Sequence, residues 1–212
     1  MLDSSQLENL FFDLKSLGQL EPDKIFESPF GTNREWHVFP QSATFFCEWM
    51  KFLGSPIFIE ILRKALLIAD DVEIFPDFSY DGGGYAISTP RSFLGYQADF
   101  NFSGEVNKFR TLNILFCMNP EYMENLGGHL HLLDSQSKTV EGKVLPKANT
   151  FLAFKTDDES FHGVSRNADN FNCRIFNIYY YTDQPISENQ AALPHRTHWL
   201  DTDSHDHKKL KS

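Results

Sequence analysis

The pattern of apolar residues changes once along this chain, near Val72, and that change limits the folds open to it. Before Val72, apolar residues recur every three or four positions, which predicts amphipathic helices. After it, short apolar or aromatic runs are separated by Gly, Asn, Asp and Pro, which is typical of strands and turns. Helices followed by closely spaced strands favour a closed or sandwiched antiparallel β architecture.

Three helices are predicted in the first 70 residues. The second carries an apolar stripe formed by Phe45, Phe46, Trp49, Phe52 and Leu53. Capping residues mark the expected helix ends: Ser4 and Gly18 for the first, Gly54 for the second, and Ser55 with Pro56 at the start of the third, which runs to about Leu67.

The predicted strands lie at 93–102, 111–118, 129–133, 150–154 and 174–182. One β-sandwich or barrel with helical additions can absorb this length, so we expect a single domain over residues 1–182. Its helical part covers about 1–70 and its β core about 71–182. A polar C-terminal extension follows at 183–212, and we expect its end to be flexible.

Composition excludes several classes of protein. Hydrophobic residues make up 41% of the chain, which supports a folded core, and the net charge of -10 disfavours nucleic-acid binding. No apolar run approaches membrane-spanning length, and no basic segment precedes an apolar one at the N-terminus. The three cysteines form no CxxC pair and are interpreted as buried thiols, so we expect a soluble protein of the reducing cytoplasm.

Three polar residues stand at positions suited to a metal site. Gln97 and Asp99 are two positions apart at a predicted strand end, so they point to the same face. His162 follows far along the chain, and Arg174 opens an apolar strand 12 residues later. Two nearby ligands and one distant imidazole are the pattern with which proteins hold non-haem Fe(II), leaving positions open for a cosubstrate and O2.

The sequence here resembles the prolyl-hydroxylase-like branch of the Fe(II)/2-oxoglutarate dioxygenases, over roughly residues 82–182. No single motif is specific, but their order is. The motifs are Gly82-Gly83-Gly84, Gly95 to Asn101, Arg110 to Asn113, Met118-Asn119, Gly127 to Leu130, Ser160 to Gly163, and Arg174 with Tyr179 to Thr182.

The resemblance implies a double-stranded β-helix core, or jelly roll, with N-terminal helices packed on it. It also implies an oxygenase that uses Fe(II), 2-oxoglutarate and O2 and hydroxylates an unactivated C–H bond with release of succinate and CO2. Asp99 and His162 would then be metal ligands, and Arg174 would anchor the distal carboxylate of 2-oxoglutarate. Two positions depart from the family: Gln97 replaces the first histidine ligand, and Cys117 replaces a tyrosine.

Gln97 leaves two interpretations open. An amide oxygen is a weaker ligand for Fe(II) than imidazole, so Gln97 or a water could complete an active site. Alternatively, the fold has lost turnover and serves as a catalytically silent binding or scaffold domain. His129 and His131 have ligand-like spacing, but we expect them to face outward because Leu130 and Leu132 make the better core face.

Partners are predicted only by class. We expect a small-molecule or peptidyl substrate, and neither nucleic acid nor a membrane as a partner. The histidines of the C-terminal extension, namely His195, His198, His205 and His207, are expected to bind metal adventitiously at most. Nothing in the pattern of residues predicts the oligomeric state.

Overall fold

The computed structural model describes residues 2–28, 31–40, 42–136 and 138–200. Strands account for 33% of the chain and helices for 19%, which confirms the prediction of a mainly β fold. Within the described residues, no helix combines the length and apolar character needed to cross a membrane.

The elements in chain order are α1 (Ser4–Leu17), β1 (Lys24–Ser28), β2 (Gly31–Trp36), α2 (Thr44–Leu53), α3 (Pro56–Ala65), β3 (Phe75–Pro76), β4 (Gly84–Ser88), β5 (Leu94–Ala98), β6 (Phe102–Ser103), β7 (Lys108–Cys117), β8 (Leu130–Leu133), β9 (Val140–Val144), β10 (Thr150–Lys155), β11 (His162–Val164), β12 (Cys173–Thr182) and β13 (His198–Trp199), with a short 3-10 helix at Glu124–Leu126 between β7 and β8.

The helix ends follow the capping residues closely. Gly18 and Gly54 end α1 and α2 as predicted, and Ser55 caps α3 through a hydrogen bond from the Phe58 backbone N–H. The N-cap of α1 is Asp3 instead of Ser4, since the Asp3 carboxylate accepts from the Gln6 N–H while the Gln6 side chain accepts from the Asp3 N–H. The third helix ends at Ala65, slightly before the predicted limit.

The strands form two antiparallel sheets. The larger has the order β1-β2-β4-β12-β7-β10, with β3 added to β12 and β6 added to β7. The smaller has the order β13-β5-β11-β8-β9. Residues from both sheets line one cavity, and the arrangement is the predicted jelly-roll core with helices.

The main hydrophobic core lies between the helices and one face of the larger sheet. Side chains alternate along β12, and Phe176, Ile178 and Tyr180 belong to this core. The Trp49 ring of α2 lies 5.4 Å from the Phe176 ring and 4.7 Å from the Phe116 ring of β7. Each such buried side chain contributes about 1.5–3 kcal/mol. The helices cover this face of the larger sheet, while the opposite face lines the cavity.

A β-hairpin interrupts the segment predicted to be helical. Strands β1 and β2 pair with Lys24 opposite Glu35, and β2 then pairs with β4. Ile25 is 58% exposed, so this edge hairpin lacks the buried apolar alternation by which strands are recognised in sequence. The C-terminal extension is also structured as far as residue 200, and β13 adds to the edge of β5. Residues 201–212, which include the predicted flexible end, His205 and His207, lie outside the described residues.

The three cysteines are free thiols. Cys117 and Cys173 are buried, whereas Cys47 is only half-buried. Burial raises the pKa of both the Cys117 and the Cys173 thiol to about 12, so both stay protonated.

Candidate active site

A cavity of about 260 Å³ lies between the two sheets. Its polar lining includes Gln97, Asp99, Arg110, Asn113, His162 and Tyr179. Strand pairing brings together residues distant in sequence, since His162 of β11 lies directly opposite Gln97 of β5. Three of the polar residues predicted from the sequence therefore share one cavity.

Asp99 and His162 form the centre of this group. His162 Nε2 lies 3.8 Å from Asp99 Oδ1, and both side chains are at least 95% buried. The second carboxylate oxygen, Asp99 Oδ2, is buried and has no hydrogen-bond partner among the described residues. A carboxylate and an imidazole at this separation can bind the same divalent cation, because both are common ligands of Fe(II).

The hydrogen bonding of His162 favours metal coordination. Its Nδ1 lies 3.0 Å from the carbonyl oxygen of Ser160, which can only accept. A proton on Nδ1 satisfies that carbonyl and leaves the lone pair of Nε2 directed toward Asp99. A backbone carbonyl that fixes the tautomer of a histidine in this way is the usual support of a metal-binding imidazole.

Of the three polar residues, Gln97 is the least suited to bind a metal. Its Nε2 donates a hydrogen bond to Asp99 Oδ1 at 3.0 Å. Rotation of the amide would bring Oε1 against the carboxylate, which is favourable only if a cation lies between the two oxygens. Among the described residues no three His, Cys, Asp or Glu side chains are grouped as a metal site. Asp99 and His162 are thus placed to share one cation, whereas the Gln97 amide oxygen could join them only after the amide rotates.

Tyr179 borders the same carboxylate. Burial, reinforced by the negative charge of Asp99, raises the pKa of Tyr179 above its usual value. The phenol therefore stays neutral and can donate a proton in a hydrogen bond. Two amide oxygens in the lining, Asn113 Oδ1 and Asn177 Oδ1, are buried without a hydrogen-bond partner among the described residues. The cavity thus presents polar atoms that a polar ligand would satisfy.

The structure does not bring Arg174 to this cavity. Ile175, Asn177 and Tyr179 of β12 line it, and alternation puts Arg174 on the other face of the strand. There Arg174 lies beside Tyr85, and its guanidinium donates to the carbonyl of Asn172 at 3.3 Å. The sequence-based prediction of Arg174 as the cosubstrate anchor is therefore not supported by its position.

Arg110 of β7 is the guanidinium that lines the cavity. It is only 2% exposed and lies between the rings of Phe100 and Tyr179, at 3.5 and 3.6 Å from their centroids. In the sequence Arg110 stood out only as the first residue of a family motif. The guanidinium contacts the Tyr179 ring, and Tyr179 itself borders Asp99. A buried positive charge therefore lies close to the Asp99 carboxylate.

The lining of the cavity also includes residues that the sequence did not indicate. Lys24 and Glu35 of the β1–β2 hairpin line one side. Thr197 and Trp199 of the C-terminal extension line another, and Trp199 lies opposite Gln97 in the pairing of β13 with β5. The extension is therefore part of the cavity wall.

The other histidines make contacts outside the cavity. His131 Nδ1 lies 3.0 Å from the Tyr96 hydroxyl, and His129 Nε2 lies 3.0 Å from the Glu124 carbonyl oxygen. Leu130, between them, lines the cavity, as expected if the two histidines face outward. In the extension, His195 stacks on His198 and its Nε2 lies 2.8 Å from Asp158 Oδ1.

Residues 84–182 match the family model of the 2OG-Fe(II) oxygenase superfamily. This superfamily uses Fe(II), 2-oxoglutarate and O2. The matched segment contains Asp99, Arg110 and His162. Comparison with curated proteins gave no match.

Solved structures with the same fold include prolyl hydroxylases. The prolyl-4-hydroxylase of Pseudomonas putida is 17% identical with a TM-score of 0.59, covering 85% of this chain and 87% of its own. A Trichoplax adhaerens prolyl hydroxylase, in complex with a peptide of hypoxia inducible factor, is 16% identical with a TM-score of 0.59, covering 85% and 80%. HygX of Streptomyces hygroscopicus, with nickel and 2-oxoglutarate bound, is 11% identical with a TM-score of 0.52, covering 92% and 90%.

Proposed function

We propose that this chain, whose residues 84–182 match the 2OG-Fe(II) oxygenase superfamily, is an Fe(II)- and 2-oxoglutarate-dependent oxygenase that hydroxylates an unactivated C–H bond. Succinate and CO2 would be the products of the cosubstrate. One observation carries the proposal: Asp99 Oδ1 and His162 Nε2 lie 3.8 Å apart inside a buried cavity. The two side chains proposed as metal ligands converge at one cavity, and this supports the proposal.

Each residue of the site has a distinct task in this proposal. Asp99 and His162 would hold the metal, and the Gln97 amide would rotate to present its oxygen to the same ion. Ser160 keeps the proton of His162 on Nδ1 through its carbonyl oxygen. When bound, Fe(II) with 2-oxoglutarate supplies the oxidising chemistry that amino-acid side chains cannot provide.

The cavity itself contributes positioning and exclusion of water. Neutral Tyr179 can donate a hydrogen bond to an oxygen atom bound next to Asp99. Phe93 and Trp199 are aromatic residues of the lining and would shield the reacting carbon from solvent. A single C–H bond of the substrate can thereby be held near the metal while competing reactions with water are limited.

The substrate is proposed as a small molecule or a peptidyl side chain. Similar structures include one in complex with a peptide, which is a property of that protein. A cavity of about 260 Å³ suits one side chain or a compact molecule more than a large one. We further propose a cytoplasmic location, which the free cysteines support.

A second candidate function is a binding protein without turnover. The observation that favours it is the hydrogen bond from Gln97 Nε2 to Asp99 Oδ1, since an amide N–H there competes with a cation for the carboxylate. A catalytically silent protein of this fold would keep the cavity and bind a polar ligand without forming succinate.

Anaerobic titration with Fe(II) and 2-oxoglutarate separates the two candidates. An oxygenase should develop the visible charge-transfer absorption of the chelated complex and should form succinate after O2 is admitted. The Asp99→Ala and His162→Ala variants should lose both signals, while Arg174→Met, outside the cavity, should retain them. A wild-type protein that gives neither absorption nor succinate would support the silent candidate.

A further inference from the structure

Glu35 is an acidic residue of the cavity lining to which the proposed chemistry gives no task. It belongs to β2 and is only 9% exposed. Its neighbour across the sheet is Ala86 of β4, which is itself paired with Ile175 of β12. Because the methyl group of Ala86 is too short to cover a carboxylate, the Glu35 side chain borders the cavity instead of a packed side chain.

The Glu35 carboxylate has no close cation apart from a histidine. Within the described part of the chain, no lysine or arginine nitrogen lies within 4.0 Å of it. Its Oε2 lies 3.4 Å from His37 Nε2, but both atoms are buried and neither makes a hydrogen bond with a described residue. A buried carboxylate in this state is costly unless a cation pairs with it.

The charges around Glu35 do not compensate for its burial. Lys24 and His37 act to lower the pKa of this carboxyl, and Asp81 acts to raise it. Burial outweighs the two cations, so the pKa of Glu35 stays above its usual value. A cation brought by a ligand could therefore still gain from contact with this carboxylate.

The rest of this part of the cavity suits an apolar chain attached to such a cation. Phe26 of β1 and Trp199 of β13 line the cavity together with Phe93. Aromatic rings cover aliphatic carbon and also attract ammonium groups to their faces. Strand β2 approaches β5, the strand of Gln97, so walls from both sheets enclose one space.

Glu35 and the proposed metal ligands lie at different ends of the cavity. The cavity face of β12 carries Ile175 and Tyr179, four residues or about 13 Å apart. Ile175 lies in the row of Glu35, whereas Tyr179 borders Asp99. A ligand with its nitrogen at Glu35 would thus extend a short aliphatic chain toward the metal ligands.

We infer that Glu35 binds an ammonium group of the substrate, which is therefore an aliphatic amine or a lysine side chain. The inference rests on the proposed function only in calling this ligand the substrate. Arg110 lines the cavity beside Tyr179, and its positive charge disfavours an ammonium group at that end. The net charge of -10 attracts cationic ligands to the protein as a whole.

The test uses two pairs of probes that differ in one charge. Pentylammonium is compared with pentanol, and lysine blocked as its Nα-acetyl methylamide is compared with norleucine blocked in the same way. Dissociation constants are measured by NMR titration of the isotope-labelled full-length protein, without metal, cosubstrate or O2. In at least one pair the wild type should bind the ammonium probe about 10- to 100-fold more tightly, the range expected for one charge-assisted contact.

The two pairs also distinguish the source of the ammonium group. A preference only in the first pair indicates a free amine, and a preference only in the second indicates a lysine side chain. Either result supports the inference, because the charge recognised is the same.

Matched variants locate the carboxylate that recognises the charge. Glu35→Gln should reduce the preference to less than about 3-fold, because the amide keeps the shape but lacks the charge. Glu27→Gln, which removes an exposed carboxylate from the same hairpin, should retain the wild-type preference. Circular dichroism shows whether each variant is folded. If Glu35→Gln does not fold, Glu35→Asp replaces it and should show an intermediate preference, because its carboxylate is set back by one methylene group.

Other outcomes overturn the inference. A wild-type protein that binds no probe, or binds both members of each pair equally, would show that the cavity does not recognise an ammonium group. Full retention of the preference in Glu35→Gln would contradict the role of Glu35, and its simultaneous loss in Asp99→Asn would move the cation to the other end of the cavity. Failure of the proposed function is seen separately, as absence of succinate formation by a protein that still prefers the ammonium probes. Glu35 would then recognise the ligand of a binding protein.

Discussion

Gln97 donates a hydrogen bond to Asp99 through Nε2 and Oδ1 at 3.0 Å. The same carboxylate oxygen lies 3.8 Å from His162 Nε2. The protein therefore satisfies with its own amide an oxygen that a metal would otherwise use. An imidazole at position 97 would offer a lone pair to the metal, whereas the amide must first give up its hydrogen bond and rotate. In the proposed metal site, the affinity for metal would depend on this competition as well as on the number of ligands.

The Gln97→His substitution should therefore raise the affinity for Mn(II) or Fe(II) by at least about 10-fold, since imidazole is the better ligand. Calorimetry or the electron paramagnetic resonance signal of free Mn(II) measures this directly. Gln97→Leu is the matched control, because it removes the competing N–H without adding a ligand. An equal gain in both variants would mean that the amide inhibits binding and that residue 97 does not coordinate.

The C-terminal extension depends on Asn101. This residue is 2% exposed, donates through Nδ2 to the carbonyls of Ala191 and Leu193, and accepts from the His195 N–H through Oδ1 at 2.8 Å. Asn101→Ala should lower the free energy of unfolding by about 2 kcal/mol, because three hydrogen bonds are lost and their backbone groups are left unsatisfied. Urea unfolding measures the change.

Asn101→Ala should also loosen the C-terminal extension, which forms part of the cavity wall. With the extension released, residues 183–200 should be cleaved faster in limited proteolysis followed by mass spectrometry. Asn189→Ala, an exposed position in the same segment, is the control and should be cleaved at the wild-type rate. If Asn101→Ala leaves proteolysis unchanged, the extension is held mainly by the pairing of β13 with β5.

Residues that act on their nearest neighbours in the chain were sufficient to predict where the helices end. They also predicted part of the site. Gly18, Gly54 and Ser55 act through their own backbone and nearest turn, so their effect is visible in the sequence alone. The convergence of Asp99 and His162 was predicted from strand alternation and the family motifs, and it depends on the pairing of His162 with Gln97.

Features that depend on distant pairing could not be predicted in this way. A bulge in β7 is produced by its register with β12, so regular alternation along β7 assigns Arg110 to the wrong face. The β1–β2 hairpin is stabilised at the edge of a sheet and has an exposed Ile25 in place of a buried apolar row. Trp199 reaches the cavity only because β13 pairs with β5.

Shortening a buried side chain in the core between the helices and the larger sheet should destabilise the protein strongly. Phe176 is fully buried, with ring contacts to Phe46, Trp49 and Tyr80. Phe176→Ala should lower the free energy of unfolding by about 3–5 kcal/mol through lost burial and an internal cavity. Phe12→Ala, at a position 73% exposed, is the control and should change it by less than about 0.5 kcal/mol. Similar losses in the two variants would place the main core elsewhere.

Glu35, a buried residue of the cavity lining, should make stability depend on pH in an unusual direction for a carboxyl group. Burial raises the pKa of this carboxyl, while the charges of Lys24 and His37 oppose the shift and that of Asp81 adds to it. A carboxyl whose pKa is higher in the folded state contributes stability below the unfolded-state value, about 4.3 for Glu, and loses it as the pH rises through the folded-state value. Near neutral pH the ionised group is therefore destabilising.

Glu35→Gln should accordingly raise the free energy of unfolding near neutral pH, by about 1 kcal/mol, because a buried negative charge is replaced by a neutral amide of the same shape. The gain should disappear in acid, below about pH 4.3, where the wild-type carboxyl is protonated in both states. Urea unfolding at a series of pH values measures both limits. Glu27→Gln, an exposed position in the same hairpin, should show no such pH-dependent gain. A Glu35→Gln variant less stable than wild type near neutral pH would mean that the contact of Glu35 with His37, at 3.4 Å, outweighs the cost of burial.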